Sequence, residues 1–355
     1  MNVIAINPGS TSTKVAVYEN ENAVFETNIK HNTEELEGFE IITDQFEFRK
    51  KVVLDTLVKE KIELDKIDAI VGRGGLVKPI ESGVYDVNEA MLTDLRNNLQ
   101  GEHASNLGGL IANDLANECP NARVFIADPV VVDELEPIAR ISGHPAFVRK
   151  SFFHALNQKA TAKKHAESIN KKYENLNLIV VHLGGGISVG AHKKGRVIDV
   201  NQAIGGEGPF SPERAGTLPT IDVANAIFQG KYTQPEFKRM LIGKGGLAAY
   251  LGTNDALEVE NRVKAGDEEA LLIYGAMAYQ VAKTIGEMFT VLMGDVDGIL
   301  ITGGIAYDKW FVERIRERVH KLAPFHVYPG ENEMEALAIN GLRVLRGEET
   351  TKTYK

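Results

Sequence analysis

Two short turns built of small residues carry the groups that hold an anion. The first lies in Val3-Ile4-Ala5-Ile6-Asn7-Pro8-Gly9-Ser10-Thr11-Ser12-Thr13-Lys14-Val15, the second in Ile179-Val180-Val181-His182-Leu183-Gly184-Gly185-Gly186-Ile187-Ser188-Val189. Each leads from an apolar run through the turn into a second apolar run, which is the pattern of a hairpin. In such a turn, main-chain N–H groups can converge on an anion, and hydroxyls add donors. Ser10, Thr11, Ser12 and Lys14 supply this in the first turn, and Gly184, Gly185 and Gly186 let bare backbone approach the ligand in the second. Neither matches a Gly-x-x-x-x-Gly-Lys-Ser/Thr loop, and neither enters a helix as a dinucleotide-binding turn does. One such turn alone reads more readily as an ordinary tight hairpin. Aligning Asn7 with His182 sets Gly9 on Gly184 and Ser12 on Ile187, half a chain apart. That repetition favours phosphate, held by a duplicated fold closing on one nucleotide.

The elements that must position these turns repeat as well. Strands are expected at 3–6, 13–18 and 23–29, then a helix at 46–61 with apolar Phe48, Val52, Val53, Leu57 and Val58. A buried strand at 68–71 runs into Gly72-Arg73-Gly74-Gly75. Helices at 88–98 and 105–117, a strand at 123–127 and a helix at 158–172 complete the first half. The second half repeats this order with strands at 179–182, 187–191 and 196–199 and a Gly/Pro-rich loop at 201–219. Helices follow at 221–229, 235–241 and 268–292, the last ending at Gly294 as a glycine C-cap. An apolar strand into Gly303-Gly304, a strand at 325–328 and a helix at 333–345 close it. Glycine at 303 and 304 would let a flat group such as adenosine lie against the backbone. The pattern is α/β, with mixed sheets and a ligand at the strand ends.

At 355 residues two domains are expected, 1–155 and 156–355. Apolar residues make up 43% and charged residues 25%, an ordinary globular balance. No run of about 18 apolar residues occurs, so no membrane partner is expected. The chain enters a strand directly from Met1 with no basic segment, and its one cysteine, Cys119, has no partner; a cytoplasmic location is the expectation. A net charge of −9 argues against nucleic acid as a partner. It also singles out isolated arginines and lysines beside glycines as the cations a polyphosphate would need. The paired lysines at 163–164, 171–172 and 193–194 read as solvated faces.

The motifs Asn7-Pro8-Gly9-Ser10-Thr11-Ser12-Thr13-Lys14, His182-Leu183-Gly184-Gly185-Gly186 and Ile301-Thr302-Gly303-Gly304 resemble those of the acetate kinase family, in the actin/Hsp70/sugar-kinase superfold. The butyrate kinases within it are the nearer likeness. It extends to Gly72-Arg73-Gly74-Gly75-Leu76-Val77-Lys78-Pro79-Ile80, His103-Ala104-Ser105-Asn106-Leu107-Gly108, Asp128-Pro129-Val130-Val131-Val132-Asp133-Glu134, Gly208-Pro209-Phe210-Ser211-Pro212-Glu213-Arg214-Ala215-Gly216 and Tyr328-Pro329-Gly330-Glu331-Asn332-Glu333. The resemblance implies two duplicated actin-like (ribonuclease H-like) domains with five-stranded mixed sheets flanked by helices, and a nucleotide in the interdomain cleft. It implies reversible phosphoryl transfer from ATP to a short-chain fatty acid, butyrate first, giving ADP and an acyl phosphate, with Mg²⁺ and a homodimer or larger homo-oligomer.

Carried over by motif, Arg73, Asp128, His154 and Arg214 would be catalytic, and Arg73, His103, Val131 and Phe210 would meet the acyl substrate. Asn7, Ser10, Ser12, Lys14, His182, Gly184, Gly185, Gly186, Asn254, Asp255, Gly303 and Gly304 would hold the nucleotide, and Glu333 with Asn7 the metal. The second essential arginine of acetate kinases follows a Met-Gly-Thr segment, whereas Gly216-Thr217 here precedes Leu218, so Arg214 stands in by proximity. Glu331 competes with Glu333 as the metal-side carboxylate. By residue type alone, Arg73 also suits a salt bridge, His103 a loop contact, His154 a buried satisfied histidine, Asp128 a turn and Asp255 a helix cap.

An ionised carboxylate is its own nucleophile, so the chemistry requires charge neutralisation and positioning rather than a general base. Acetate, propionate or branched-chain acids would fit the same chemistry. A non-catalytic ATP-driven switch is the reading from another class, disfavoured by the lack of an appended peptide- or DNA-binding domain.

Overall fold

The computed structural model describes residues 1–355, apart from the side chain of Thr33. Three strands open the chain, β1 (Asn2–Pro8), β2 (Ser12–Glu19) and β3 (Asn22–Lys30). Helices α1 (Thr33–Leu36) and α2 (Phe46–Lys59) lead to β4 (Ala69–Arg73), β5 (Val84–Asp86), α3 (Glu89–Arg96), α4 (Asn106–Leu115) and β6 (Arg123–Ala127). Next come α5 (Ala155–Ser168), β7 (Asn177–Leu183), β8 (Ile187–Lys193) and β9 (Arg196–Val200). Helices α6 (Thr220–Phe228), α7 (Gln234–Leu241), α8 (Gly246–Leu251), α9 (Ala256–Lys264) and α10 (Glu268–Val291) follow. The chain ends through β10 (Gly298–Gly303), α11 (Lys309–Val319), β11 (Phe325–Pro329), α12 (Glu333–Leu345) and β12 (Lys352–Thr353).

It divides into two compact units, Met1–Val132 with Asn332–Lys355, and Asp133–Glu331. The first holds a seven-stranded sheet ordered β12-β5-β6-β4-β1-β2-β3, the second a five-stranded sheet ordered β11-β10-β7-β8-β9. Within the first, β6-β4-β1-β2-β3 has the same order and the same strand directions as the whole of the second: three parallel strands, then two antiparallel ones. The expected count of five strands therefore holds for the second unit, while β5 and β12 widen the first. Central strands β1 and β7 are buried almost throughout, which is why both read as unbroken apolar runs rather than alternating ones.

The expected division at 155/156 differs from the observed units. Residues 133–155 fall in the second unit, where α5 packs on β7 and β10, and α12, which follows the second set of strands, packs on β1 and β4 of the first. The chain thus returns to the first unit at its end, which a linear cut cannot express.

Two close approaches set the first sheet's layers. A Cβ on Gly72 would overlap the main chain of Gly108, and one on Gly341 would meet Val71 at 2.7 Å. Residues 71 and 72 face opposite sides of β4, so α4 and α12 cover opposite faces. In the second unit α10 lies against β7, β8 and β9, and α11 packs on α10. Its core is built from residues such as Ile179, Val181, Val189, Tyr274, Met277, Ile299 and Phe311.

Some ends differ from the sequence expectation. Helix α5 stops before Asn170, whose φ of 53° is left-handed, so Lys171 and Lys172 lie beyond it. Met293, with φ 55°, rather than Gly294, is the first left-handed residue after α10. The N–H groups of Met293 and Gly294 then close back on the carbonyls of Thr290 and Phe289 at 2.9 and 3.0 Å. No helix among the described residues is long and apolar enough to cross a membrane.

Candidate active site

In the first unit, β1, β4 and β6 run parallel side by side, and Asn7, Arg73 and Asp128 fall at or just past their carboxyl ends. Ligands of α/β sheets gather at this edge. Arg73 Nη1 donates to Asn7 Oδ1 at 3.1 Å and lies 3.3 Å from the Glu333 carboxylate; Asn7 Nδ2 donates to Glu333 Oε2 at 2.6 Å. Glu333 is the first residue of α12, where the partial positive charge of the helix end favours a carboxylate. Lys14 stands directly opposite Asn7 in the β1–β2 ladder, so both side chains lie on one face.

The glycines around Arg73 serve packing. Besides Gly72, a Cβ on Gly74 would meet Pro129 at 2.5 Å and one on Gly75 would meet Asn106 at 2.6 Å. They let β4 and the chain after it sit tightly under α4, which fixes where Arg73 emerges. Asp128 is buried with φ 38°, and its Oδ1 accepts from Ser82 Oγ at 2.6 Å and Gly83 N at 2.9 Å. That oxygen secures the 82–83 turn. Nδ1 of His103 contacts Ser105 Oγ at 2.7 Å and accepts from Ser105 N at 3.2 Å, while Val131 is buried.

The first turn depends on a residue that sequence reading passed over. Arg49 of α2 is fully buried; its Nη1 donates to the carbonyls of Gly9 (2.7 Å) and Ser12 (3.0 Å) and its Nη2 to that of Ser10 (2.9 Å). His31 N takes the Thr11 carbonyl at 2.9 Å. Because a trans peptide points its N–H opposite to its C=O, drawing the carbonyls of Gly9, Ser10 and Thr11 inwards turns the N–H groups of Ser10, Thr11 and Ser12 outwards. Burial pulls the Arg49 guanidinium down to about 10, so it remains a cation behind the turn at neutral pH. Its sequence signal was its place in line with Val53 and Leu57, the other buried residues of α2.

In the second unit, the three-residue turn 184–186 closes with Gly184 N donating to Gly186 O at 3.1 Å. His182 and Ser188 face each other across the β7–β8 ladder. The rings of His154 and His182 stack, with centroids 3.9 Å apart and planes 17° apart. His154 Nδ1 lies 2.8 Å from Ser188 Oγ, His182 Nδ1 lies 2.9 Å from Asn157 Oδ1, and His182 Nε2 lies 3.6 Å from Glu331 Oε1. The rival carboxylates thus separate. Glu331 accompanies His182 in the second unit and Glu333 accompanies Arg73 in the first, with the boundary falling between them.

Arg214 lies so close to Gly186 that any Cβ there would overlap its guanidinium. Its Nη1 donates to the Ala203 carbonyl at 2.7 Å, and its buried Nε has no hydrogen-bond partner among the described residues. Burial lowers its pKa from the ordinary arginine value. A buried N–H without an acceptor, beside a glycine turn, suits an incoming anion. Ser211 Oγ donates to the Gly185 carbonyl at 2.6 Å, and Asn254 Nδ2 reaches Glu213 at 3.4 Å.

Other expected nucleotide residues have structural duties. Asp255 caps α9, its Oδ1 accepting from Leu257 N at 2.9 Å. Gly303 has φ 96°, and a Cβ there would overlap the main chain of Leu183, whereas Gly304 faces open space. Phe210 is part of the second unit's apolar core. Among the described residues, no group of three or more His, Cys, Asp and Glu is gathered to hold a metal ion.

A sequence model of the acetokinase family matches residues 137–345. Among solved structures, an acetate kinase from Porphyromonas gingivalis is similar with a TM-score of 0.79 at 17% identity, covering 97% of this chain and 99% of that one. A propionate kinase from Francisella tularensis subsp. tularensis SCHU S4 gives 0.75 at 19% identity, covering 96% and 98%. An acetate kinase from Entamoeba histolytica gives 0.74 at 18%, covering 97% and 99%. At these identities the likeness establishes the shared actin-like α/β fold, while the family model spans more than half the sequence. This chain belongs to the acetokinase family.

Proposed function

We propose that this chain reversibly transfers the γ-phosphoryl group of ATP to the carboxylate of a short-chain fatty acid, butyrate foremost, giving ADP and the acyl phosphate. The observation that carries the reading is the meeting of Arg73, Asn7 and Glu333, drawn from distant parts of the sequence to one sheet edge, in a member of the acetokinase family. Butyrate is chosen over acetate and propionate on the motif likeness described above.

The acid is ionised at neutral pH. One carboxylate oxygen attacks the γ-phosphorus, the bond from that phosphorus to the β,γ-bridging oxygen breaks, and ADP leaves with the electron pair. No proton need be removed from the nucleophile. The barrier arises from bringing two anions together, so fixed donors and cations lower it. In this reading the Arg73 fork binds the carboxylate or the transferring phosphoryl group, and His154 and Arg214 stabilise charge on the transferring oxygens. His103 and Val131 border the acid, and Phe210 supports it from the core. Ser10, Ser12, Lys14, His182, Gly184, Gly185 and Gly186 hold the nucleotide phosphates. Asn254 and Gly304 border the adenosine, set in place by Asp255 and Gly303. Asp128 acts through the turn it secures.

Mg²⁺ takes oxygen ligands and generally rides on substrate phosphates with one or two protein carboxylates. Asn7 Oδ1 and the Glu333 carboxylate, both within hydrogen-bond reach of the same Arg73 nitrogen, provide oxygen donors of that kind. Bound there, the ion would neutralise phosphate charge.

Chain-length preference tests the substrate. One methylene in an apolar pocket is worth about 1–3 kcal/mol, so kcat/KM for butyrate should exceed that for acetate by about tenfold or more in a hydroxamate assay with ATP, Mg²⁺ and acids from C2 to C6. A maximum at C2 or C3 would make this an acetate or propionate kinase, and one at isobutyrate a branched-chain enzyme. No acyl phosphate with any acid would leave a nucleotide switch.

A further inference from the structure

Behind His154 runs a line of hydrogen bonds through the interior of the second unit: Tyr173, His192, Gln158, Ser188, His154. Tyr173, His192, Gln158 and Ser188 are all buried. The direction of each bond follows from the fixed donors and acceptors along the line. Gln158 Nε2 lies 3.1 Å from the Ser188 carbonyl. A carbonyl only accepts, so the amide nitrogen belongs there and Gln158 Oε1 faces His192 Nε2, 2.9 Å away. That ring nitrogen must therefore carry a hydrogen. Full burial, with the Lys159 ammonium nearby, holds His192 well below the ordinary histidine range, so the ring is neutral. Its Nδ1 then accepts from the Tyr173 hydroxyl at 2.7 Å.

The other end resolves by counting. Ser188 Oγ accepts from Gln158 Nε2 at 2.8 Å and, more weakly, from the His154 main-chain N–H at 3.5 Å. A hydroxyl has two lone pairs and one hydrogen. With both lone pairs engaged, the hydrogen goes to His154 Nδ1, 2.8 Å away. The stacked ring differs. Asn157 Nδ2 donates to the Glu331 carbonyl at 3.0 Å, which turns Asn157 Oδ1 towards His182 and requires a hydrogen on His182 Nδ1.

We propose that Tyr173, His192, Gln158 and Ser188 are positioning residues that hold neutral His154 as its Nε2–H tautomer, so that it meets a phosphoryl oxygen as a hydrogen-bond donor. The part played by His154 rests on the kinase reading; the tautomer does not. All the bonds in the line point the same way, which strengthens each by mutual polarisation. His182 carries a hydrogen on Nδ1, the nitrogen that is bare on His154, so the two stacked rings are held differently.

The test is a long-range ¹H–¹⁵N correlation spectrum of the full chain labelled at its 9 histidines, His154 being assigned by His154→Gln. The expected result near pH 7.5 is the Nε2–H pattern for His154 and a hydrogen-bearing Nδ1 on His182. Ser188→Ala should shift His154 towards a mixture of tautomers and lower kcat by about 10- to 100-fold with less change in the KM for ATP, as loss of a supporting hydrogen bond does elsewhere. Ser188→Thr should restore both. An Nδ1–H pattern for His154 in the unaltered protein overturns the proposal even if Ser188→Ala fails to fold. So does an unchanged spectrum in folded Ser188→Ala. The expected tautomers in a protein that phosphorylates no acid would uphold the line of bonds and remove the kinase reading instead.

Discussion

Replacing Arg49 by methionine removes a guanidinium that supports the first turn from within. The side chain makes five polar contacts: Gln45 Oε1 at 2.9 Å, the carbonyls of Gly9, Ser12 and Ser10 at 2.7, 3.0 and 2.9 Å, and Thr13 Oγ1 at 3.2 Å. Leaving a buried acceptor unsatisfied costs about 1–3 kcal/mol, and three main-chain carbonyls depend on this one group. Two effects offset the loss. A buried charge is no longer desolvated, and methionine fills much of the vacated volume. The net destabilisation should be about 2–5 kcal/mol, above the ~1 kcal/mol of an average substitution. Arg49→Lys keeps the charge with three donors in place of five, and should lose about 1–3 kcal/mol. Urea unfolding at constant slope measures the change. Since the same contacts turn the N–H groups of Ser10, Thr11 and Ser12 outwards, the KM for ATP should rise about tenfold in the variants that fold, as loss of one charge-assisted contact would predict. Arg49→Met within about 0.5 kcal/mol of the parent, with an unchanged KM for ATP, would refute the claim that this arginine shapes the turn.

Arg73→Ala should lower kcat by about a hundredfold or more while the circular dichroism spectrum is preserved; retention of more than about a tenth of the activity contradicts its role. Glu333→Gln should raise the Mg²⁺ concentration needed for half-maximal rate about 10- to 100-fold, and Glu331→Gln should leave it unchanged. The reverse pattern would move the metal-side carboxylate to the second unit. His31, His165 and His192 are each held below the ordinary histidine range, chiefly by burial. Below pH 6.5 the unfolded chain therefore takes up protons that the folded chain refuses, and stability falls as pH drops, by at most about 1.4 kcal/mol per pH unit for each histidine. His192→Gln should remove its share, so the stability gap between parent and variant should narrow from pH 7 to pH 5. A constant gap would show that His192 titrates alike in both states.

Much of this structure was legible from local pattern. The small-residue turns declared both hairpins, and Ser12 and Ile187, matched by alignment, each begin the second strand of their pair. The strand ends bearing Asn7 and Arg73 were also readable, since glycine and polar residues interrupt apolar runs there. What escaped depends on distance in sequence. The return of α12 to the first unit leaves no local mark, because its buried face of Met334, Leu337, Ala338 and Leu342 would suit either sheet. Strands β5 and β12 have three residues and two, too few for periodicity to register. Helix α11 was within reach, with Asp308 as its cap and Phe311, Ile315 and Val319 buried at a spacing of four. Arg49 was masked by its neighbours Lys50 and Lys51, which suggest a solvated face. His192, Gln158 and Tyr173 come from β8, α5 and the segment between α5 and β7, so their line of bonds exists only after folding.

The central claim, that a carboxylate receives the phosphoryl group directly, is tested by following ATP, Mg²⁺ and butyrate with the enzyme by ³¹P NMR. An acyl phosphate resonance should grow in step with ADP and vanish on adding hydroxylamine. ADP and inorganic phosphate appearing together, at a rate indifferent to butyrate and to every other short acid tried, would contradict it.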